Sequence, residues 1–132
     1  DVTYHGPGQL VGYPILHLGA RKLPVGTYLR ELEGMLIAAC ARLGLAAERV
    51  PGFTGVWARG KKLASIGVAV TGWISYHGFA LNVDMDLAPF RDIHPCRLEP
   101  EQMASLASLL GRPVPMDEAK AAVRAAFTER FA

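Results

Sequence analysis

The sequence RGKKLASIGVAVTGWISYHGFALNVD, residues 59–84, decides the fold because it contains two long apolar segments separated by a turn. The segments Lys62–Val70 and Trp73–Asp84 are rich in β-branched and aromatic residues, which is typical of strands. Glycine-containing turns at Arg59-Gly60 and Thr71-Gly72 precede the two segments. The stretch therefore predicts a meander of adjacent antiparallel strands.

Two more strands are predicted outside this stretch. Gly55–Ala58 forms a short strand just before it, and Gln9–Leu16 has the Leu, Val, Tyr and Ile content of a strand near the start of the chain. Within the meander, Gly67 and Gly78 interrupt the two long strands. A glycine inside a strand often marks a bulge or a close approach of the backbone to a ligand.

Three helices are predicted from apolar residues at helical spacing. The first has Thr27 as its cap and Gly44 as its stop, a short one starts at Glu99 or Pro100, and the last follows Pro115. Their apolar faces consist of Tyr28, Leu32, Leu36, Ala39 and Leu43, of Met103, Leu106 and Leu110, and of Ala119, Val123, Phe127 and Phe131. The sum predicts a mixed α/β or α+β domain with helices packed on a largely antiparallel or mixed sheet. The 132 residues suit a single domain, 1–132.

Composition excludes several classes of function. The net charge is +2 and the basic residues are scattered apart from Arg59–Lys62, so no nucleic-acid partner is expected. No apolar run is long enough for a transmembrane helix, so no membrane partner is expected. Two cysteines are too few for a disulfide framework, which favours the reducing cytoplasm.

The two cysteines lie in different settings. Cys40 lies in an apolar helical run and is typical of a small buried hydrophobic residue. Cys96 lies in an irregular segment flanked by prolines, where functional residues often occur. A thiol is a strong nucleophile only as the thiolate, and a nearby cation favours that form. Cys96 is therefore a candidate nucleophile that needs Lys, Arg or His beside it.

Histidines and lysines are the candidate partners of this thiol. His5, His77 and His94 are each compatible with a Cys–His pair, or with a structural role. Metal binding is not expected, since no CxxC or HxxxH pattern exists. Lys61 and Lys62 begin a strand, where consecutive side chains point to opposite faces. Only one of the two lysines is therefore expected to face inward as a base, with the other in solvent.

Three motifs carry a resemblance to a known family. They are TYHGPGQ at residues 3–9, KLASIG at residues 62–67 followed by YHGFALN at residues 76–82, and IHPC at residues 93–96. In order and spacing the chain resembles the octanoyltransferases of lipoate synthesis, which have the biotin/lipoate protein ligase fold. The resemblance extends over nearly the whole chain.

The resemblance implies a reaction and its residues. Octanoate passes from acyl carrier protein to the Cys96 thiol as a thioester, and then to a lysine amine of a lipoyl domain as an amide. Lys62 opens the KLASIG motif and lowers the pKa of that thiol, which leaves Lys61 solvated. The implied substrate-binding residues are Asp1, Val2, Thr3, Tyr4 and His5, then Ser65, Ile66 and Gly67, and then Gly78, Phe79 and Ala80. No cofactor, ATP or metal is implied, because the thioester donor is already activated.

The implied partners are octanoyl-acyl carrier protein as donor, and as acceptors the lipoyl domains of 2-oxoacid dehydrogenase complexes and the glycine cleavage protein. The chain departs from the family in two places. It lacks the Arg-Gly-Gly and longer N-terminal portion that usually precede TYHG, and it has Arg97 where Gly usually follows the cysteine. Two alternatives remain: an ATP-dependent lipoate or biotin protein ligase, and a non-catalytic module that binds an acyl chain or a carrier protein.

Overall fold

The computed structural model describes residues 6–14, 18, 21–22, 24–71, 74–86 and 103–131, with the backbone alone for residues 68–71 and 74–77. Its elements in chain order are β1 (Gln9–Gly12), α1 (Val25–Arg42), β2 (Val56–Ala58), β3 (Lys61–Thr71), β4 (Ile74–Asn82), α2 (Leu106–Leu110) and α3 (Met116–Phe131). Among these residues, no helix has the length and apolarity to cross a membrane.

The strands form an antiparallel sheet in the order β1-β4-β3-β2. β3 and β4 pair from Ala64 opposite Leu81 to Thr71 opposite Ile74. The turn at Arg59-Gly60 has φ values of 52° and 77°, which are typical of the two-residue turns that match the twist of a hairpin. The predicted meander and fold class are confirmed, although Gly72 of the second predicted turn lies outside the described residues.

β1 is shorter than predicted. It ends at Gly12, whereas the prediction ran to Leu16. Tyr13 and Pro14 are outside the strand, and Ile15 and Leu16 of the predicted strand lie outside the described residues. Pro14 has no N–H to donate to the β4 ladder, which explains an early end to the pairing.

α1 confirms the predicted apolar face, since Tyr28, Leu32, Leu36, Ala39 and Leu43 are all buried. Its predicted stop is also confirmed: Gly44 has a φ of 92°, and the Leu45 N–H donates to the Cys40 carbonyl at 2.9 Å. The predicted Thr27 cap is wrong. The N-cap is Pro24, and its carbonyl accepts the Tyr28 N–H at 2.9 Å, so the helix begins earlier.

The prediction that the short helix already includes Met103 is wrong. α2 begins at Leu106, because the Ser105 hydroxyl accepts the Ser108 N–H at 3.0 Å and the Ser108 hydroxyl accepts the Ser105 N–H at 3.0 Å. Met103 is not helical and instead forms a parallel bridge with Lys62. Residues 99–102 lie outside the described part of the chain.

The core lies between the two long helices and the sheet. α1 packs against α3, β2 and β3, and α3 also contacts β1. The rings of Tyr28 on α1 and Phe131 on α3 meet edge to face, with centroids 6.0 Å apart. The final helix thus buries the apolar face predicted for it, apart from the half-buried Phe127.

Asn82 ties three segments together at the end of β4. It is 1% exposed, its amide nitrogen donates to the Ala104 carbonyl at 3.0 Å, and its amide oxygen accepts from Gln9 at 2.9 Å. The Ala104 N–H donates to the Lys62 carbonyl at 2.9 Å. Ala104 is therefore held from both sides, by the backbone of β3 and by a side chain of β4.

Gly67 and Gly78 lie directly opposite each other on β3 and β4 but face different surroundings. A Cβ at Gly78 would lie 2.1 Å from the Gly12 carbonyl oxygen of the neighbouring strand. A Cβ at Gly67 would meet no described atom within 4 Å. Close backbone approach therefore requires glycine at Gly78, whereas at Gly67 no atom of the described residues stands in the way of a side chain.

Gly78→Ala is expected to lower the free energy of unfolding by about 1–3 kcal/mol, because the new methyl group overlaps a backbone carbonyl that cannot rotate away. Gly67→Ala is the matched control in the opposing register position and is expected to change stability by less than about 0.5 kcal/mol. Urea denaturation measures both stability changes, provided that the dependence of the unfolding free energy on urea concentration keeps the same slope. Equal losses from the two substitutions would contradict the close approach at Gly78.

Asn82→Ala is expected to cost about 1–3 kcal/mol of stability, because it leaves the buried Ala104 carbonyl and the Gln9 amide without this partner. Gln9→Ala removes only one of the two hydrogen bonds at a half-buried position, so its cost is expected to be smaller. Thermal and urea unfolding of both variants test this order. A Gln9→Ala loss as large as that of Asn82→Ala would show that the Ala104 contact contributes little.

Candidate active site

Lys62 lies at the start of β3 and points into the protein. It is 5% exposed, whereas the preceding Lys61 is exposed. The prediction that one lysine is buried and its neighbour solvated is therefore confirmed, with Lys62 as the buried one. Its catalytic role stays a prediction.

A bulge in the β2–β3 hairpin directly follows Lys62. Trp57 pairs with Lys62, but the adjacent Val56 pairs with Ala64, so Leu63 is the extra residue on β3. Lys62, Leu63 and Ala64 are all buried as a result, which strict alternation does not predict. The Lys62 Nζ lies over the Trp57 ring, 5.4 Å from its centroid. This is within the range of a cation–π interaction.

Gly55 packs against the stem of Lys62. A Cβ at this position would lie 3.0 Å from Lys62 Cε and 2.8 Å from the Ala64 carbonyl oxygen, and its φ of 148° also favours glycine. The Gly55 N–H donates to the Glu33 Oε2 at 2.9 Å. The loop before β2 is thereby fixed to α1 at the point where it covers the lysine.

Glu33 is a fully buried carboxylate whose charge is balanced from the surface. Its Oε1 lies 3.0 Å from Arg30 and 3.3 Å from Arg49, both half exposed, although this oxygen has no aligned hydrogen bond among the described residues. Arg49 also donates to the Arg30 carbonyl at 3.0 Å. Breaking these ion pairs would leave a buried charge uncompensated, so the position of the Glu33 carboxylate is strongly constrained. Because this carboxylate also accepts the Gly55 N–H, it holds the Gly55 loop in place.

The first described residues of the chain reach the same end of the sheet. The Gly8 carbonyl accepts the N–H groups of Val83 and Asp84 at 3.1 and 3.0 Å. Val83 in turn accepts the Ala107 N–H at 2.9 Å. The residue range 1–5 and the range 87–102 are thus both flanked by residues that are hydrogen-bonded near the end of β4.

Two of the predicted substrate-binding groups lie opposite each other. Ser65, Ile66 and Gly67 on β3 pair with Ala80, Phe79 and Gly78 on β4, respectively. Phe79 and Ala80 are buried, Ser65 and Ile66 are half-buried, and Gly67 is exposed. The structure brings these six residues together, and their role as substrate-binding residues stays a prediction.

The remaining predicted site residues lie outside the described part of the chain. Cys96, the potential partner His94 and the divergent Arg97 lie outside the described residues, as do Asp1, Val2, Thr3, Tyr4 and His5. The His77 side chain is also outside the description. Their assignments stay predictions.

Cys40 has the structural role predicted for it. It is a free, fully buried thiol on α1, and burial raises its pKa to about 12. The thiolate form is therefore strongly disfavoured, and Cys40 is unsuited to nucleophilic chemistry near neutral pH. Within the described ranges, no three His, Cys, Asp or Glu residues are grouped closely enough to hold a metal ion.

The sequence prediction missed Trp57, Gly55 and Glu33. A signal for Trp57 was present, since a two-residue turn at Arg59-Gly60 places the residues before and after it in cross-strand pairs. Glu33 gave no comparable signal, because a glutamate in an amphipathic helix is usually solvated.

Comparisons with known proteins agree with this architecture. The pattern of the family described as the lipoyl protein ligase A/B catalytic domain matches residues 1–128. The chain is 54% identical to an octanoyltransferase of Geobacter metallireducens over 127 residues, which cover 96% of the chain and 60% of that relative. It is 56% identical to an octanoyltransferase of Geobacter sulfurreducens over 127 residues, covering 96% of the chain and 54% of that relative. The chain thus spans somewhat more than half the length of these relatives.

The fold is also found in solved structures. One is a structure of an archaeal lipoylation system from Thermoplasma acidophilum, described as a bipartite lipoate protein ligase and its E2 lipoyl domain. The match has a TM-score of 0.70 at 20% identity, over 96% of this chain and 52% of that one. It confirms the predicted fold, and the family match confirms the resemblance on which that prediction rests. The chain belongs to the lipoyl protein ligase A/B catalytic-domain family.

Proposed function

We propose that this chain carries the catalytic residues of an octanoyltransferase that modifies lysines of lipoyl domains. The observation that carries the proposal is its identity of more than 50% with octanoyltransferases over 96% of its length. The buried Lys62 at the head of the KLASIG motif supports it, because a lysine at a solvated turn would have little influence on a thiol.

The proposed reaction has two transfers at Cys96. In the first, the Cys96 thiolate attacks the thioester carbonyl of octanoyl-acyl carrier protein, a new C–S bond forms, and the carrier thiol leaves and takes up a proton. In the second, a neutral lysine amine of the lipoyl domain attacks the enzyme thioester. An amide forms, the amine loses a proton, and Cys96 leaves as the thiolate. The covalent intermediate divides the reaction into two easier steps.

Lys62 is proposed to assist both transfers. As an ammonium near Cys96 it favours the thiolate, and in a poorly solvated site this attraction is stronger than in water. Its proton passes to the departing carrier thiolate in the first transfer, so that in the second transfer the neutral Lys62 amine accepts the proton that the attacking amine must lose. A base on a strand is also more precisely held than one on a loop.

The octanoyl chain is proposed to lie along the paired segments 65–67 and 78–80. The position beside Gly67, where a Cβ would meet no described atom within 4 Å, suits a linear acyl tail on the sheet face that Gly67 shares with Ser65 and with Ala80 of β4. Burying about six methylenes at about 0.8 kcal/mol each would supply roughly 5 kcal/mol of binding. A Cβ at Gly67 would extend into this space, so Gly67→Ala serves to test acyl binding separately from stability.

Incubation of the full-length protein with octanoyl-acyl carrier protein is expected to give a hydroxylamine-labile octanoyl adduct on Cys96, seen by intact mass and peptide mapping. Cys40→Ala is the matched control and is expected to keep the adduct, because the Cys40 thiol is buried with its pKa raised to about 12. Cys96→Ser is expected to lose it. Absence of any adduct on the folded protein would refute the proposal. Transfer that requires ATP would instead indicate a lipoate or biotin ligase.

Lys62→Ala is expected to raise the pKa of the Cys96 thiol by about 1–3 units, because it removes the cation that favours the thiolate. Each unit lowers the thiolate fraction about tenfold at a pH below the pKa. Lys61→Ala, the solvated neighbour, is expected to change it little. The rate of iodoacetamide alkylation against pH, measured in a Cys40→Ala background, reports both values. Equal effects of the two lysine substitutions would refute the assignment of Lys62.

A further inference from the structure

The contact between Lys62 and Trp57 has a geometry that a packing role alone does not require. Each residue is 5% exposed, and the Lys62 Nζ lies 5.4 Å from the centroid of the indole ring. The face of an aromatic ring carries partial negative charge, and tryptophan attracts cations most strongly. Such a ring stabilises a buried ammonium more than it stabilises an ammonium exposed to water.

The Trp57 ring is fixed by contacts that do not depend on Lys62. The backbone of Trp57 exchanges two hydrogen bonds with Glu48, at 2.9 and 2.7 Å. Phe53 meets the indole edge to face, with centroids 6.3 Å apart. A Cβ at Gly55 would lie 3.2 Å from the indole Cη2, so glycine there lets the ring pack closely. The ring is therefore a preformed surface for the lysine head group.

The register of the hairpin places the lysine on this surface. Trp57 and Lys62 are direct cross-strand partners, and the bulge at Leu63 comes immediately after Lys62. A lysine side chain has many rotamers, and holding it in one of them costs conformational entropy. Contact with a rigid ring face reduces the number of accessible rotamers in the folded protein, whatever other groups the ammonium also contacts.

We propose that Trp57 is a positioning residue, which holds the Lys62 ammonium over its indole face in the orientation that acyl transfer requires. The catalytic part of this statement rests on the proposed function, whereas the geometric part does not. An aliphatic residue of similar bulk would fill the same space without attracting the cation. The role therefore belongs to the electrons of the ring, and it can be tested apart from the volume of the side chain.

The first test is spectroscopic and needs no activity. In the full-length protein, the ε-methylene protons of Lys62 are expected to show an upfield ring-current shift by NMR with labelled lysine, assigned through Lys62→Arg. The shift is expected to persist in part in Trp57→Phe and to vanish in Trp57→Leu. Exposed Lys61 is the internal control and is expected to resonate at the ordinary position in all three proteins. An ordinary Lys62 position in the unsubstituted protein would overturn the proposal.

The second test varies the charge of the ring face without changing its shape. Tryptophan analogues with one to three fluorines are incorporated at Trp57 in a Trp73→Phe background, and octanoyl loading of Cys96 is measured in single turnovers. The maximal rate is expected to fall stepwise with each fluorine, by roughly 2-fold to 30-fold in total, with little change in the carrier-protein concentration for half-maximal rate. Trp57→Phe is expected to retain more of the rate than Trp57→Leu.

Two results of the rate measurement are decisive against the proposal. If fluorination leaves the rate unchanged while Trp57→Leu lowers it, the ring acts through packing alone. A change confined to carrier-protein affinity would place Trp57 in binding and not in positioning Lys62. If the unsubstituted protein forms no octanoyl adduct at all, the proposed function fails, and the Lys62 ring-current shift alone then decides whether Trp57 holds the lysine.

Discussion

The ladder between β3 and β4 is the constraint on which the rest of the structure depends. Strand side chains have a period of two, so a slip of one residue would exchange the buried and exposed faces of both strands. The register from Ala64 opposite Leu81 to Thr71 opposite Ile74 brings the two predicted substrate-binding triplets side by side. It also aligns the Lys62 carbonyl and the Asn82 amide, which both bind Ala104. Ala104, which follows the Cys96 segment in the sequence, is thus hydrogen-bonded to both strands.

Much of this architecture was predictable from local patterns. The α1 face and the Arg59-Gly60 turn each follow from a strong local signal, an apolar stripe in one case and a glycine turn between strands in the other. The start of the short helix before Gly111 was predicted wrongly because two local patterns, an apolar stripe and a helix cap, indicated different starts. Met103 continues the stripe of Leu106 and Leu110, yet the reciprocal hydrogen bonds of Ser105 and Ser108 start the helix after it. Met103 pairs instead with a strand that is distant in sequence, which no local pattern encodes.

The candidate site was predictable to a different extent. Alternation along a strand required Lys61 and Lys62 to diverge, but it did not indicate which one is buried. The motif supplied that choice, and the structure agrees with it. The surroundings of Lys62 were harder to predict from the sequence, because the bulge at Leu63 breaks the alternation and the Glu33–Gly55 hydrogen bond joins a helix to a loop. Both features depend on how elements pack, and composition does not reveal that.

Under the proposed mechanism, the environment of Lys62 must satisfy two opposite requirements. The first transfer needs an ammonium beside the thiolate, and the second needs a group that accepts a proton. Burial disfavours the charged amine, whereas the Trp57 ring and a neighbouring thiolate favour it. Formation of the thioester removes the thiolate charge, and with it one of the attractions that favour the ammonium. The ammonium is therefore less favoured after the first transfer than before it. Acylation itself would then prepare Lys62 to lose its proton, so that it can serve as the base when the acceptor amine arrives.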